Sequence, residues 1–110
     1  MTITPETTAQ ATIVPLLGQI NSANAGALEA QLLTLVDGGV RQLVLDFAAL
    51  DYISSAGLRL VLVLAKRLKQ ERGRLVLCAM QPHVHEVFDI SGFLAILDVQ
   101  ATRQEALARL

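Results

Sequence analysis

Six side chains carry groups that hydrolytic chemistry would use: Ser54, Ser55, Asp46, Asp51, His83 and His85. A serine nucleophile is normally displayed on a strained strand-to-helix elbow, Gly-x-Ser-x-Gly. Gly57 stands two residues after Ser55, but Ile53 stands two before it, so the elbow is incomplete. The histidines follow about thirty residues later and are two apart, which turns them to different sides of a helix. His83-x-His85-Glu86 also lacks the i, i+4 spacing that places two imidazoles on one metal. They read as two solvated surface residues. No phosphate-cradling glycine pattern occurs, because Gly57 stands alone and Gly38-Gly39 follows a helix instead of opening one. The chain reads as a non-enzyme with no cofactor and no metal.

Ser54 and Ser55 suit a different role. Either can cap a helix that begins near Ala56, its oxygen accepting one of the free amides of the first turn. A phosphate on Ser55 would lie at the positive end of the same helix, where backbone amides favour anions. It would add roughly 1.5 to 2 negative charges at neutral pH. Such a change need not unfold the domain. It would repel a docked partner and so switch binding on or off.

The elements that position these serines follow from the pattern of apolar residues. Leu43-Val-Leu-Asp-Phe47 is a short, nearly unbroken apolar run, expected as a strand covered on both faces, with a short loop down to Ser54. From Leu58 the period becomes helical. Leu58, Leu60, Val61, Leu62, Leu64, Ala65 and Leu68 cover roughly half the helix circumference, wider than the ~100° stripe of a typical surface helix. Such an arc fits a helix wedged between a sheet and a neighbouring helix, or one that meets a partner protein.

Upstream, Ile3 reads as a first short strand, Pro5-Glu-Thr-Thr8 as a turn, and Ala11 to Leu17 as a second strand. Pro15 lacks an amide hydrogen, which places that strand at a sheet edge or at a bulge. Ser22 reads as the cap of a helix from Ala23 to about Val36, with Ala25, Leu28, Leu32 and Leu35 as its apolar stripe. Downstream come a strand Arg74–Ala79, a helix opened by Pro82 and running to Ile90, a strand Phe93–Leu97, and a last helix opened by the Thr102/Glu105 capping box. Strands alternating with helices predict an α/β fold: a mainly parallel or mixed sheet of four to five strands packed with four helices.

Composition narrows the function classes. A chain of 110 residues makes one domain, 1–110, able to bury roughly two thirds of the surface it exposes when unfolded. With 53% hydrophobic and 17% charged residues it is not disordered, and with 4% aromatics its core must be aliphatic. A net charge of −1 argues against nucleic acid, whose binders carry a basic excess. No apolar stretch reaches the ~18 residues of a membrane span, so no membrane insertion is expected. The single cysteine, Cys78, points to a reducing compartment, and the expected localisation is cytoplasmic.

Three segments carry a family resemblance. Tyr52-Ile-Ser-Ser-Ala-Gly-Leu-Arg59, preceded by Leu45-Asp-Phe-Ala-Ala-Leu50, resembles the signature of STAS domains, specifically of bacterial anti-sigma factor antagonists. Met80-Gln-Pro-His-Val-His-Glu-Val-Phe-Asp-Ile-Ser-Gly-Phe93 is similar to that family's second signature. Leu17-Gly-Gln-Ile-Asn21 through Ala25 resembles its third, usually Gly-Glu-Leu-Asp. The resemblance implies a protein-binding switch that sequesters an anti-sigma factor, often one with an ATPase-like fold and serine kinase activity, and so frees a sigma factor. Phosphorylation of a serine blocks that binding, and a serine phosphatase reverses it. The family's phosphoserine falls on Ser55, with Ser54 in place of the usual aspartate, Ala56 in place of a hydroxyl residue, and Gln19 and Asn21 in place of acidic ones. The expected partner surface comprises Asn21, Ser54, Ser55, Ala56, Gly57, Leu58 and Arg59, with Gly57 serving either close backbone approach or helix packing. The alternative within the same family is a non-phosphorylated STAS adaptor subunit of a lipid-transport ABC complex.

Overall fold

Strand β3, Gln42–Ile53, is the axis of the molecule. In the computed structural model, which describes residues 1–110, it alternates cleanly over its first half. Leu43, Leu45 and Phe47 point to one face of the sheet, Val44 and Asp46 to the other. Alternation of this kind in an apolar run requires a cover on both sides. Helices α1 (Ala25–Asp37), α2 (Ser55–Gln70) and α3 (Pro82–Ile90) supply the larger cover, and α4 (Arg103–Leu107) the smaller one.

The sheet has the order β1-β2-β3-β4-β5, with β1 Glu6–Thr7, β2 Thr12–Ile20, β4 Arg74–Cys78 and β5 Asp98–Gln100. Only β1 runs antiparallel; every other neighbour is parallel. The expected α/β architecture of four to five strands and four helices is therefore present, with five strands in the sheet, and the apolar arc of α2 is wedged between α1 and the sheet. Leu60, Val61, Leu64 and Leu68 are buried there.

Several boundaries differ from the sequence reading. The first strand is Glu6–Thr7 and not Ile3. The N-terminal residues lie along α1 instead, where Gln31 accepts the Ile3 amide at 3.0 Å and donates to the Met1 carbonyl at 2.8 Å. The turn falls at Thr8, whose Oγ1 accepts the amides of Gln10 and Ala11. Helix α1 starts at Ala25, with Asn24 and not Ser22 before it, because Asn21 and Asn24 tie the preceding turn together. The segment read as a loop from β3 to Ser54 stays extended, since its backbone continues to pair with β2 as far as Ile20↔Ile53. Finally, Phe93–Ala95 is a single 3-10 turn and the last strand begins at Asp98. Gly92, at φ 78°, turns the chain there, and Phe93 packs edge-on against Phe88 instead of entering the sheet.

Pro15 lies next to a register shift, as its missing amide predicts, while β2 itself is interior only through its two residues beside β1. Beneath α4, Asp46 is the one buried charged side chain. Arg103 donates to its Oδ2 at 2.7 and 3.1 Å and reaches Glu6 at 3.1 Å, so one guanidinium ties α4 to β3 and β1. The hydrogen bonds that Arg103 donates to Asp46 and Glu6 hold it charged beyond its ordinary range.

Candidate functional site

The end of β3 delivers Ser54 and Ser55 to the start of α2. The Ser54 amide donates to the Ile20 carbonyl at 2.8 Å, the last bond of the β2–β3 ladder. Ser54 is extended, at φ −87° and ψ 173°, and its Oγ accepts the Gly57 amide at 3.2 Å. That is an N-cap, and it uses Ser54 for structure. Ser55 is the first residue of the helix. It is exposed, and its hydroxyl makes no hydrogen bond within the chain. Two adjacent serines thus separate into a cap and a free hydroxyl.

The remaining residues of the expected surface divide in the same way. Ala56 is half-buried and Arg59 is exposed, both lining the same groove as Ser55. Gly57 and Leu58 turn inward. A Cβ built on Gly57 would lie 2.6 Å from Ile53 Cγ1 and 2.8 Å from Ile20 Cγ2. Helix packing therefore demands this glycine. Leu58 belongs to the main core. Asn21 is half-buried, and its side chain accepts the amides of Ala23 at 2.9 Å and Asn24 at 3.1 Å. It shapes the β2–α1 turn.

The groove beside Ser55 has a volume of about 550 Å³ and opens between α1 and α2. From α2 come Ser55, Ala56, Arg59 and Val63; from the α1 side come Ser22, Ala25, Gly26 and Glu29. Ser22, Gly26, Glu29 and Val63 were absent from the sequence reading as site residues. Val63 was within reach of it, since 55, 59 and 63 share one helical face. The α1 residues were not, because no periodicity says which helices lie side by side.

The other candidate groups are placed elsewhere. Gln81 donates to the Ala48 carbonyl at 3.1 Å and to Asp51 Oδ1 at 3.2 Å, and His83 contacts the Asp51 carbonyl. These contacts latch α3 to the overhanging half of β3. His85 lines a second hollow of about 380 Å³ with Met80, Val99 and Gln100. Neither histidine hydrogen-bonds to Ser54 or Ser55. No three His, Cys, Asp or Glu side chains converge as metal ligands would. The Cys78 thiol is buried under α4, and that burial, with Asp46 nearby, pushes its pKa up to about 11. It is a protonated packing group at neutral pH. No helix is long and apolar enough to cross a membrane.

Comparison with known proteins agrees with this geometry. The family model of the STAS domain matches residues 2–106. A Bordetella bronchiseptica protein carrying the name anti-sigma factor antagonist BtrV is 58% identical over 96 residues, spanning 87% of this chain and 83% of its own. The solved structure of the anti-sigma factor antagonist SpoIIAA in its unphosphorylated form superposes with a TM-score of 0.82 at 25% identity, covering 98% of this chain and 95% of that one. The phosphorylated form of the Bacillus cell fate determinant SpoIIAA superposes at 0.74 with 26% identity, covering 98% of each chain. With a free hydroxyl at the head of α2 and relatives of this kind along nearly its whole length, the chain belongs to the STAS domain family, among the anti-sigma factor antagonists.

Proposed function

We propose that this anti-sigma factor antagonist is a binding switch operated at Ser55. In the hydroxyl state the chain docks an anti-sigma factor and withholds it from its sigma factor. In the phosphorylated state the docked complex is lost. The observation that carries this reading is the division of labour between two neighbours: Ser54 is committed to capping α2, whereas Ser55 is exposed and unbonded on the rim of a groove. A modifying enzyme can reach Ser55 without breaking any contact of the fold.

The chemistry is one of transfer and return. A serine kinase, in this reading the anti-sigma factor itself with an ATPase-like fold, moves the terminal phosphoryl group of a nucleoside triphosphate to Ser55 Oγ. The hydroxyl proton is released and the nucleoside diphosphate leaves. A serine phosphatase then uses water to return the hydroxyl and inorganic phosphate. The chain supplies no catalytic group to either step; it acts by binding. The head of α2 tolerates the product, because the helix dipole favours an anion in its first turn. SpoIIAA, solved in both a phosphorylated and an unphosphorylated form, is a relative whose fold accommodates a phosphate. The docking surface in this reading is Ser55, Ala56 and Arg59 with the groove beside them, while Ser54, Gly57, Leu58 and Asn21 hold that surface in shape.

Intact mass and phosphosite mapping of the protein purified from its own cells, with and without phosphatase treatment, tests the switch. The expected result is a single phosphate on Ser55 that the phosphatase removes. A chain that stays unmodified under every growth condition overturns the switch.

A further inference from the structure

Arg59 stands apart from most of the cations of this molecule. Arg41, Arg67, Arg74, Arg103 and Arg109 each pair with a carboxylate. Arg59, Lys66, Lys69 and Arg72 do not; Lys66 and Lys69 lie farther along α2 toward its C-terminus, and Arg72 lies beyond that end. Arg59 is four residues on from Ser55, one helical turn along the same face, and both line the groove between α1 and α2. Glu29, on α1, is the carboxylate that lines this groove, and it makes no ion pair either. The cation beside the switch serine is therefore free.

Resting on the reading of Ser55 as the modified residue, we infer that Arg59 is the intramolecular counter-ion of phosphorylated Ser55, closing onto the phosphate from one turn along α2. The chemistry matches on each side. A phosphate offers three strong acceptor oxygens, and a guanidinium donates to such groups in a planar, bidentate fork. An anion placed four residues before a cation is the favoured order for a pair on a helix. The surroundings agree with this, because Ser54, Ala56, Gln19 and Asn21 bring no negative charge, which leaves Glu29 as the one carboxylate facing the groove.

The consequence is a switch that changes two charges at once. The hydroxyl form presents a free guanidinium beside a neutral serine, suited to a carboxylate on the docked partner. The phosphorylated form presents an anion, and its cation is withdrawn. The partner loses an attraction and meets a repulsion, with no rearrangement of the fold.

The test uses the full chain made with phosphoserine encoded at position 55, followed by phosphorus NMR across a pH titration. A nearby cation favours the doubly ionised phosphate, so its midpoint should lie a few tenths of a pH unit lower in the parent chain than in Arg59→Gln. Arg59→Lys should restore part of that difference. Glu29→Gln should move the midpoint downward, opposite to Arg59→Gln. The Arg59 Nε–H signal should shift over the same pH range. Superposable titration curves for the parent and Arg59→Gln overturn the inference, as does a midpoint that responds to Glu29→Gln alone. These failures leave the switch itself standing. An unmodified Ser55 in cells removes the switch without altering the titration, so the two results separate.

Discussion

The two ends of helix α2 are built to opposite rules. At its C-terminal end the charges close on one another: Arg67 pairs with Asp37 and with Glu71, and Arg41 pairs with Glu71. That network fastens α2 to α1 and to the entry of β3. At the N-terminal end, Arg59 and Glu29 line one groove without pairing, beside a serine with no bond. In the proposed reading, this open end of α2 is the face that docks the partner.

Both ends are nevertheless locked by a glycine, and this makes the comparison breakable. A Cβ on Gly73 would lie 2.4 Å from the Arg41 carbonyl oxygen, a backbone atom fixed by its bond to the Arg74 amide. Gly73→Ala should therefore cost about 3 kcal/mol, the upper part of the overpacking range, read as a loss in the denaturation midpoint. Gly57→Ala meets the side chains of Ile53 and Ile20, which can shift a little. Its cost should be smaller, about 1–2 kcal/mol. Equal stability of Gly57→Ala and the parent would mean that the glycine serves something other than packing.

Charge substitutions sharpen the contrast. Arg67→Ala should lower the melting temperature slightly, and the difference should fade at high salt, because its pairs are exposed and screened. Arg59→Ala has no pair to lose and should change stability by about 0.5 kcal/mol or less, while weakening the anti-sigma complex. If Arg67→Ala weakened binding as much as Arg59→Ala, the division between the two ends would fail.

The smallest expected effect lies away from α2. Burial pushes Asp98 upward, but hydrogen bonds from Gln100, Arg109 and Arg74 outweigh it and hold the carboxyl below its ordinary value. A lowered folded pKa contributes stability above the unfolded value, ~3.9, and loses it as pH falls through the folded one. Acid unfolding of Asp98→Asn should therefore show a shallower loss of stability below about pH 4 than the parent.

Much of this was legible in the sequence because the physical signals were local. Pro82 opening α3, the Thr102 cap receiving the Glu105 amide, and the Leu43–Phe47 run each appear where residue type alone demands. What escaped depended on distant partners. Asp98 and Gln100 look too polar for a strand, yet β5 is a half-buried edge whose acid collects Arg74 and Arg109. The Ala48–Tyr52 segment looks like a loop because its exposed residues are small or polar, and only its pairing with β2 keeps it extended. At the site, the serines and Arg59 could be read from spacing on one helix. Glu29 and Gly26 could not, since they come from α1 and require knowing which helix lies alongside.

The central claim is that the hydroxyl of Ser55 governs docking. Titration calorimetry of the purified anti-sigma factor of the same cell against the parent chain, Ser55→Ala and Ser55→Asp tests it most directly. Ser55→Ala should bind like the parent, whereas Ser55→Asp should lose roughly 2 kcal/mol of binding free energy or more, about 30-fold in affinity, as a like charge is brought to the interface. Equal affinities for all three would contradict the account.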